Sequence, residues 1–527
     1  MTEQQQTETS RGGGLIRAAM TVGSFTMLSR LTGFARDILI AALLGAGPVA
    51  DAFFIAFKLP NFFRRLFAEG AFNAAFVPLF SEQLTLYGKR AARIFAEDTM
   101  AVLLAVLFLF VSAFQVFMPW AMMVMAPGFR DDPATFNLAV ELTRITFPYL
   151  MFISLVSLMS GVLNGIGRFA AAAAAPVLLN ISLIAALLGL RHILPNAGYA
   201  LAWGVSIAGV VQFFWLAWSC HRAGMPLRLP RPKITPQIRR VLIIMLPAAL
   251  GAGVVQVNLV IDIVLASLLP EGAISYLFYA DRLNQLPIGV VGVAVGTALL
   301  PLISRLTTSG DDDGARQALN RAIELGMLLA IPAMAALAVM PATLISALFE
   351  RGEFDATDTA LAAQALAAYA LGLPSYILVK VLGPAFFARK DTRTPVKIAV
   401  VAVVVNVVLN LILMGPLAHA GLALATAISS WLNALTMGVV LHRRGYLQLD
   451  GRLKRNLPRV VAAAIAMAVV LWFGTDLLAG FSASGGEWTR ALALAVLVGT
   501  GMAVYGIAAQ VLGAVNLRQI KAQLRGR

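Results

Sequence analysis

Apolar stretches of about twenty residues or more recur along almost the whole chain, each closed by a short polar or basic segment. A stretch of that length crosses a bilayer as a helix. The pattern predicts spans over residues 14–44, 50–84, 94–125, 136–164, 170–190, 198–220, 237–269, 274–304, 315–349, 358–388, 395–415, 419–442, 457–480 and 488–512. The expected fold class is therefore an all-α integral membrane protein of about fourteen transmembrane helices, with no stretch left for a sizeable soluble domain. Residues 1–13 are polar and are expected as a disordered tail without the features of a cleaved signal peptide.

Of the 41 Lys and Arg residues, only Arg130, Arg191, Arg351 and Arg490 fall in loops on one side of this arrangement. The other side collects Lys89, Arg90 and Arg93, the run from Arg222 to Arg240, Arg389 to Lys397, and Arg443 to Arg459. Cytoplasmic loops carry the excess of basic residues. The asymmetry thus predicts an even number of spans with both termini in the cytoplasm, and it accounts for the net charge of +15 without a nucleic-acid partner. With 59% hydrophobic and 13% charged residues, a soluble protein is excluded. The single cysteine, Cys220, excludes an internal disulfide.

A weak repeat relates Asp37–Leu44 to Asp262–Leu269, Asn61 to Asn284 and Pro78 to Pro301. Spans 1–2 then correspond to spans 7–8, as in transporters built from internal repeats. This predicts an N-lobe at 14–222, a basic linker at 223–236 and a C-lobe at 237–443, two six-helix lobes with a central cavity. A linker at 444–456, a C-terminal helix pair at 457–512 and a basic tail at 513–527 complete the expected chain. Pro60, Pro148, Pro176, Pro247, Pro287, Pro332 and Pro374 fall inside spans. Such breaks occur where helices line cavities and also in bundles that are merely kinked.

Charges inside the spans are the strongest functional signal, because each costs at least ~2.5 kcal/mol to insert. Span 1 carries Arg30, Arg36 and Asp37; span 2 carries Asp51, Lys58, Arg64, Arg65 and Glu69; span 8 carries Asp281 and Arg282. Arg30 lies too deep to snorkel easily to either end. An internal salt-bridge network explains some of these groups, Arg65 with Glu69 first among them. The excess of arginine favours a wet cationic cavity for an anionic ligand, since the guanidinium fork fits phosphate and carboxylate. A second group comprises Asp262, the i,i+4 pair Asn406 and Asn410, and Thr426. Its oxygens suit a hard cation, or a proton on Asp262, and equally suit ordinary interhelical hydrogen bonds. No phosphate loop, H-E-x-x-H or nucleophile elbow occurs, so an enzyme is not expected.

The segment Ser29-Arg30-Leu31-Thr32-Gly33-Phe34-Ala35-Arg36-Asp37 resembles the opening signature of the MurJ/MviN lipid II flippases. Residues 51–78, 164–181, 279–301 and 383–399 resemble the same family, within the multidrug/oligosaccharidyl-lipid/polysaccharide exporter superfamily. The resemblance implies a transporter that flips lipid II, the undecaprenyl-pyrophosphate-linked peptidoglycan precursor, from the cytoplasmic to the periplasmic leaflet of the bacterial inner membrane by alternating access. It implies substrate-binding roles for Arg30, Arg36, Arg64 and Arg282, with Asp37, Asp51, Lys58, Glu69 and Asp281 at matching charged positions. Spans 13 and 14 would supply a groove for the lipid tail. Some relatives bind sodium at positions matching Asp262, Asn406, Asn410 and Thr426; here Asn410 stands where an acid would make a stronger cation site. The expectation is a chain without a cofactor, driven by Na+, H+ or membrane potential. It would work as a monomer in the phospholipid bilayer, alongside proteins of cell wall synthesis or division. A related exporter of another lipid-linked oligosaccharide or drug, and a non-transporting scaffold, are the competing readings.

Overall fold

The computed structural model describes residues 3–65, 72–484 and 486–514. All regular structure among them is helical. Contacts divide the chain into two compact units, Met1–Leu268 and Leu269–Arg527.

The first unit contains α1 (Glu3–Leu44), α2 (Pro48–Phe63), α3 (Phe72–Met125), α4 (Pro133–Thr146), α5 (Tyr149–Gly165), α6 (Ala170–Leu190), α7 (Ala197–Arg222) and α8 (Pro236–Ser267). The second contains α9 (Ala273–Thr308), α10 (Asp312–Val339), α11 (Pro341–Phe349), α12 (Ala356–Ala370), α13 (Leu373–Phe387), α14 (Arg393–Arg443), α15 (Gly451–Ser484) and α16 (Glu487–Val511). Each predicted span is met by helix, and several are met by more than one piece. Proline decides where the pieces join. Pro341 and Pro374 stand in the first turns of α11 and α13, where a missing N–H costs nothing. The span at 136–164 bends at Pro148, between α4 and α5.

Helices α3 and α14 each hold two spans joined by a tight turn. The turn in α3 is at Gly88 (φ 80°), and that in α14 is at Ala418 (φ 46°, ψ −129°). Among the described residues, nine helical segments are long and apolar enough to cross a bilayer.

Two boundaries differ from the sequence pattern. Helix α1 begins at Glu3, so residues 3–13, expected as a disordered tail, continue its backbone; Glu and Gln are good helix formers, and no proline stops them. Helix α8, expected in the second lobe, packs on α3 and on the 3-10 turn Pro127–Asp131 of the first unit. The reason is a close backbone approach. Gly128 lies so near the Ser267 carbonyl that a Cβ there would sit 1.9 Å from the oxygen, and its N–H donates to Ser267 Oγ at 3.3 Å. Hydropathy sees α8 as one more span and carries no trace of this contact.

Six helix ends share one cap. After α5, α7, α9, α13, α14 and α16 the chain turns through a left-handed residue, and two N–H groups bond back to the last turn. All six ends are those that the charge pattern assigns to the cytoplasm. Five of the left-handed residues are glycine; the sixth, after α13, is Lys390 (φ 60°). Packing within the first unit is dense around Tyr149, Phe53, Phe76 and Phe147, all essentially inaccessible, and Cys220 is likewise buried.

Candidate functional site: charges inside the helices

Arg36 and Asp37 are adjacent on α1 and both buried. Nε and Nη2 of Arg36 donate to Asp37 Oδ1 at 2.9 and 2.6 Å, and Nη1 donates to Asn180 Oδ1 of α6 at 2.8 Å. Asn180 returns its amide to the Ser29 carbonyl at 2.9 Å and Thr32 Oγ1 at 3.2 Å. A side chain at Gly33 would come within 3.2 Å of that amide, so glycine keeps α1 and α6 close. The guanidinium of Arg36 is thus committed on three nitrogens to neighbours within the unit. It is built as a positioning residue that ties α1 to α6, more than as a ligand facing a cavity.

Arg30, one turn and a half earlier on α1, is only partly buried. Helix α2 carries Asp51, buried in its first turn, then half-buried Lys58. Arg64 follows at its end, half-buried, with Arg65 exposed beside it. The core side of α2 is held by Thr146, whose hydroxyl donates to the Ala56 carbonyl at 2.7 Å, and by Phe63 against Phe110, Phe114 and Phe147. These contacts fix the end of α2 that presents Arg64. Glu69, and with it the Arg65–Glu69 pair, lies outside the described residues.

In the second unit Asp281 and Arg282 follow Tyr279, which is locked against Phe349 and Phe354. Asp281 accepts from Gln285, and the Arg282 guanidinium lies 4.6 Å over the Phe278 ring. Stacking of that kind fixes the plane of the guanidinium.

The polar residues of α14 do come together. Asn410 donates to Asn406 Oδ1 at 3.0 Å; Asn406 donates towards Thr426 Oγ1 at 3.4 Å and Ser429 Oγ at 3.3 Å. Asn406 and Asn410 are fully buried. Ser429 was not expected; its place one turn after Thr426 on an apolar helix was the available signal. The sodium implied by the resemblance would meet amide and hydroxyl oxygens here, with no carboxylate on α14 itself. Every side-chain oxygen is neutral, Asn406 Oδ1 is already an acceptor, and the Thr426 hydroxyl donates to Leu422 O at 3.0 Å. Neutral amide and hydroxyl oxygens can ligate a hard cation, and a carboxylate among them would hold it more tightly. Asp262, the one acid expected in the group, lies on α8 in the first unit, where Asn258 donates to it at 3.3 Å.

The model of the family "Lipid II flippase MurJ" matches residues 40–484. This chain belongs to the lipid II flippase MurJ family. The "Probable lipid II flippase MurJ" of Rhizobium meliloti (strain 1021) is 45% identical over 516 residues, covering 97% of this chain and 96% of that protein. The "Lipid II flippase MurJ" of Burkholderia cenocepacia is 40% identical over 462 residues, 86% of this chain and 89% of its own. A solved structure, "Lipid II flippase MurJ, inward closed conformation", superposes with a TM-score of 0.77 at 26% identity, covering 93% of this chain and 98% of that one. An inward-facing multidrug resistance MATE family transporter of the MOP superfamily gives a TM-score of 0.66 at 16% identity, a likeness of fold alone. As a MurJ family member with many apolar helices, the chain is a multi-pass protein of the bacterial inner membrane, and a transporter rather than an enzyme.

Proposed function

We propose that this protein is the lipid II flippase of its bacterium, moving the undecaprenyl-pyrophosphate-linked peptidoglycan precursor from the cytoplasmic to the periplasmic leaflet by alternating access. The family match over residues 40–484 carries the reading. The chemistry agrees with it: a pyrophosphate calls for guanidinium groups, and a long isoprenoid must stay in lipid. Arg30, Arg64 and Arg282 are the proposed pyrophosphate ligands, with Lys58 adding charge. Asp37, Asp51 and Asp281 tune or hold these bases, Glu69 belongs to the same charged set, and Arg36 positions α1. Both termini are proposed to face the cytoplasm, with the α15–α16 pair holding the lipid tail. The protein is proposed to work as a monomer, beside proteins of wall synthesis or division. Its cycle is proposed to draw on the membrane potential or on a proton at Asp262, with Asn406, Asn410 and Thr426 as interhelical bonds.

Leaflet-resolved measurement of lipid II in depleted cells tests the function. Depletion should trap lipid II in the cytoplasmic leaflet and end in lysis; a normal wall in viable depleted cells would sink the proposal. For the site, Arg30→Ala, Arg64→Ala and Arg282→Ala should each abolish complementation while the protein still inserts. Full complementation by all three would remove the anion site.

A further inference from the structure

A cavity of about 400 Å³ opens in the first unit where the C-terminal ends of α5 and α7 and the start of α6 meet α1 at Thr21. Its walls include Thr21, Gly167, Arg168, Phe169, Trp218 and Arg222, and none of the lining residues among those described is acidic. The sequence builds it through the cap of α5. Gly167 (φ 77°) turns the chain so that the Arg168 N–H returns to Leu163 O at 2.8 Å, which delivers the Arg168 side chain to the rim. Arg168 Nη1 reaches the Arg222 carbonyl at 3.5 Å, and the Arg222 guanidinium lies 4.4 Å over the Trp218 ring. Both arginines are exposed at this rim, and Trp218 is about half exposed beside them. The first turn of α6, a 21-residue helix, opens at the same place without a side-chain cap. Its N–H groups and dipole add to the positive field.

Two guanidinium groups, an uncapped helix start and an indole form a basic recess with a mainly apolar wall. Tryptophan prefers the headgroup zone, and basic recesses between spanning helices hold anionic headgroups. The recess is separate from Arg30, which stands nine residues beyond Thr21, roughly 13 Å along α1. We infer that this recess is a binding site for the phosphate headgroup of an anionic glycerophospholipid, at the end of the unit assigned above to the cytoplasm. Arg168 and Arg222 take the phosphate, and Trp218 lies along the glycerol and upper acyl chain. The inference does not depend on the identity of the transported substrate.

Native mass spectrometry of the full-length protein in detergent, titrated with phosphatidylglycerol, phosphatidylcholine or inorganic phosphate, tests it. The unaltered chain should retain one phosphatidylglycerol tightly and phosphatidylcholine not at all. R168Q/R222Q should weaken that retention about thirtyfold, the sum expected for two basic residues at an anionic headgroup. K89Q/R90Q removes the same charge from exposed positions of α3 outside the recess and should bind as the unaltered chain does. Trp218→Leu keeps every charge and should also loosen the lipid, which decides the matter if the double variant does not fold. Unchanged retention in R168Q/R222Q and Trp218→Leu, or equal loss in K89Q/R90Q, overturns the site. Retention of phosphatidylcholine as strong as that of phosphatidylglycerol overturns the headgroup, and displacement of the lipid by millimolar inorganic phosphate makes it a free-phosphate site instead.

Discussion

Arg30 and Arg36 are both arginines six residues apart on α1, yet they are built for different work. Three nitrogens of Arg36 are bound to Asp37 and Asn180, so Arg36→Ala breaks a buried ion pair and the tie to α6. Breaking such a pair costs roughly 3 kcal/mol or more. Arg36→Ala should therefore lower the Tm and the amount of folded protein in the membrane, whereas substitution of the less buried Arg30 by Ala should lower the Tm by less and remove function. Thermal unfolding of both purified variants separates the roles; equal Tm losses would place both residues in the structural class. The sequence shows the six-residue spacing and the charge, but Asn180 lies 144 positions away from Arg36, and only the fold brings it there. Asp391, in the loop after α13, is a surface counterpart. The Thr394 hydroxyl and then the Arg444 guanidinium, whose Nη1 is 2.6 Å away, hold its carboxyl well below the usual range. A lowered folded pKa means its contribution to stability is complete above the unfolded value of about 3.9 and disappears as pH falls through the folded one. Asp391→Asn should thus lower the Tm at neutral pH and make no difference once the pH is low enough to protonate Asp391 in the folded protein.

Helix boundaries were legible wherever hydropathy, basic loops and glycine coincide. They were less so where a span is made of two pieces, because the break at Met340–Pro341 is a local backbone choice inside one apolar run. Lys390 shows what the helix-end caps cost when glycine is missing. A left-handed non-glycine residue costs about 1 kcal/mol or a little more. Lys390→Gly should raise the Tm by a corresponding amount, and a fall in Tm would mean that its side chain contributes more than the strain removes. The placement of α8 was not legible at all, since it rests on Gly128 meeting the Ser267 backbone. Gly128→Ala forces the turn and the α8 end apart and should destabilise the first unit by ~1–3 kcal/mol. Hydrogen exchange at the C-terminal turn of α8 should rise in that variant.

Across the second unit, the C-terminal helix pair is fastened at both ends rather than trailing from it. Glu324 of α10 accepts from Asn456 at 2.6 Å and from Arg452 at 3.2 Å and pairs with Arg321, which also reaches Asp450. At the opposite end Arg490 pairs with Glu350 at 3.1 Å and Arg351 with Glu487 at 3.4 Å; between them Tyr505 donates to Leu328 O at 2.7 Å. Glu324→Gln removes the charge shared by three partners and should speed amide exchange in the first turns of α15 while leaving α16 protected. Exchange unchanged in α15 would show that apolar packing alone docks the pair. Transport by reconstituted protein should be the same in sodium and in choline buffers, because the α14 cluster has no carboxylate to hold sodium tightly; a sodium requirement would contradict that reading. The buried position of Cys220 has a practical side. Its sulfur lies 3.9 Å from the Met159 carbonyl, with no surface of its own to offer a reagent. A maleimide added to intact cells should therefore pass over the native chain, and a single cysteine placed in any loop becomes a clean reporter of which side of the membrane that loop faces.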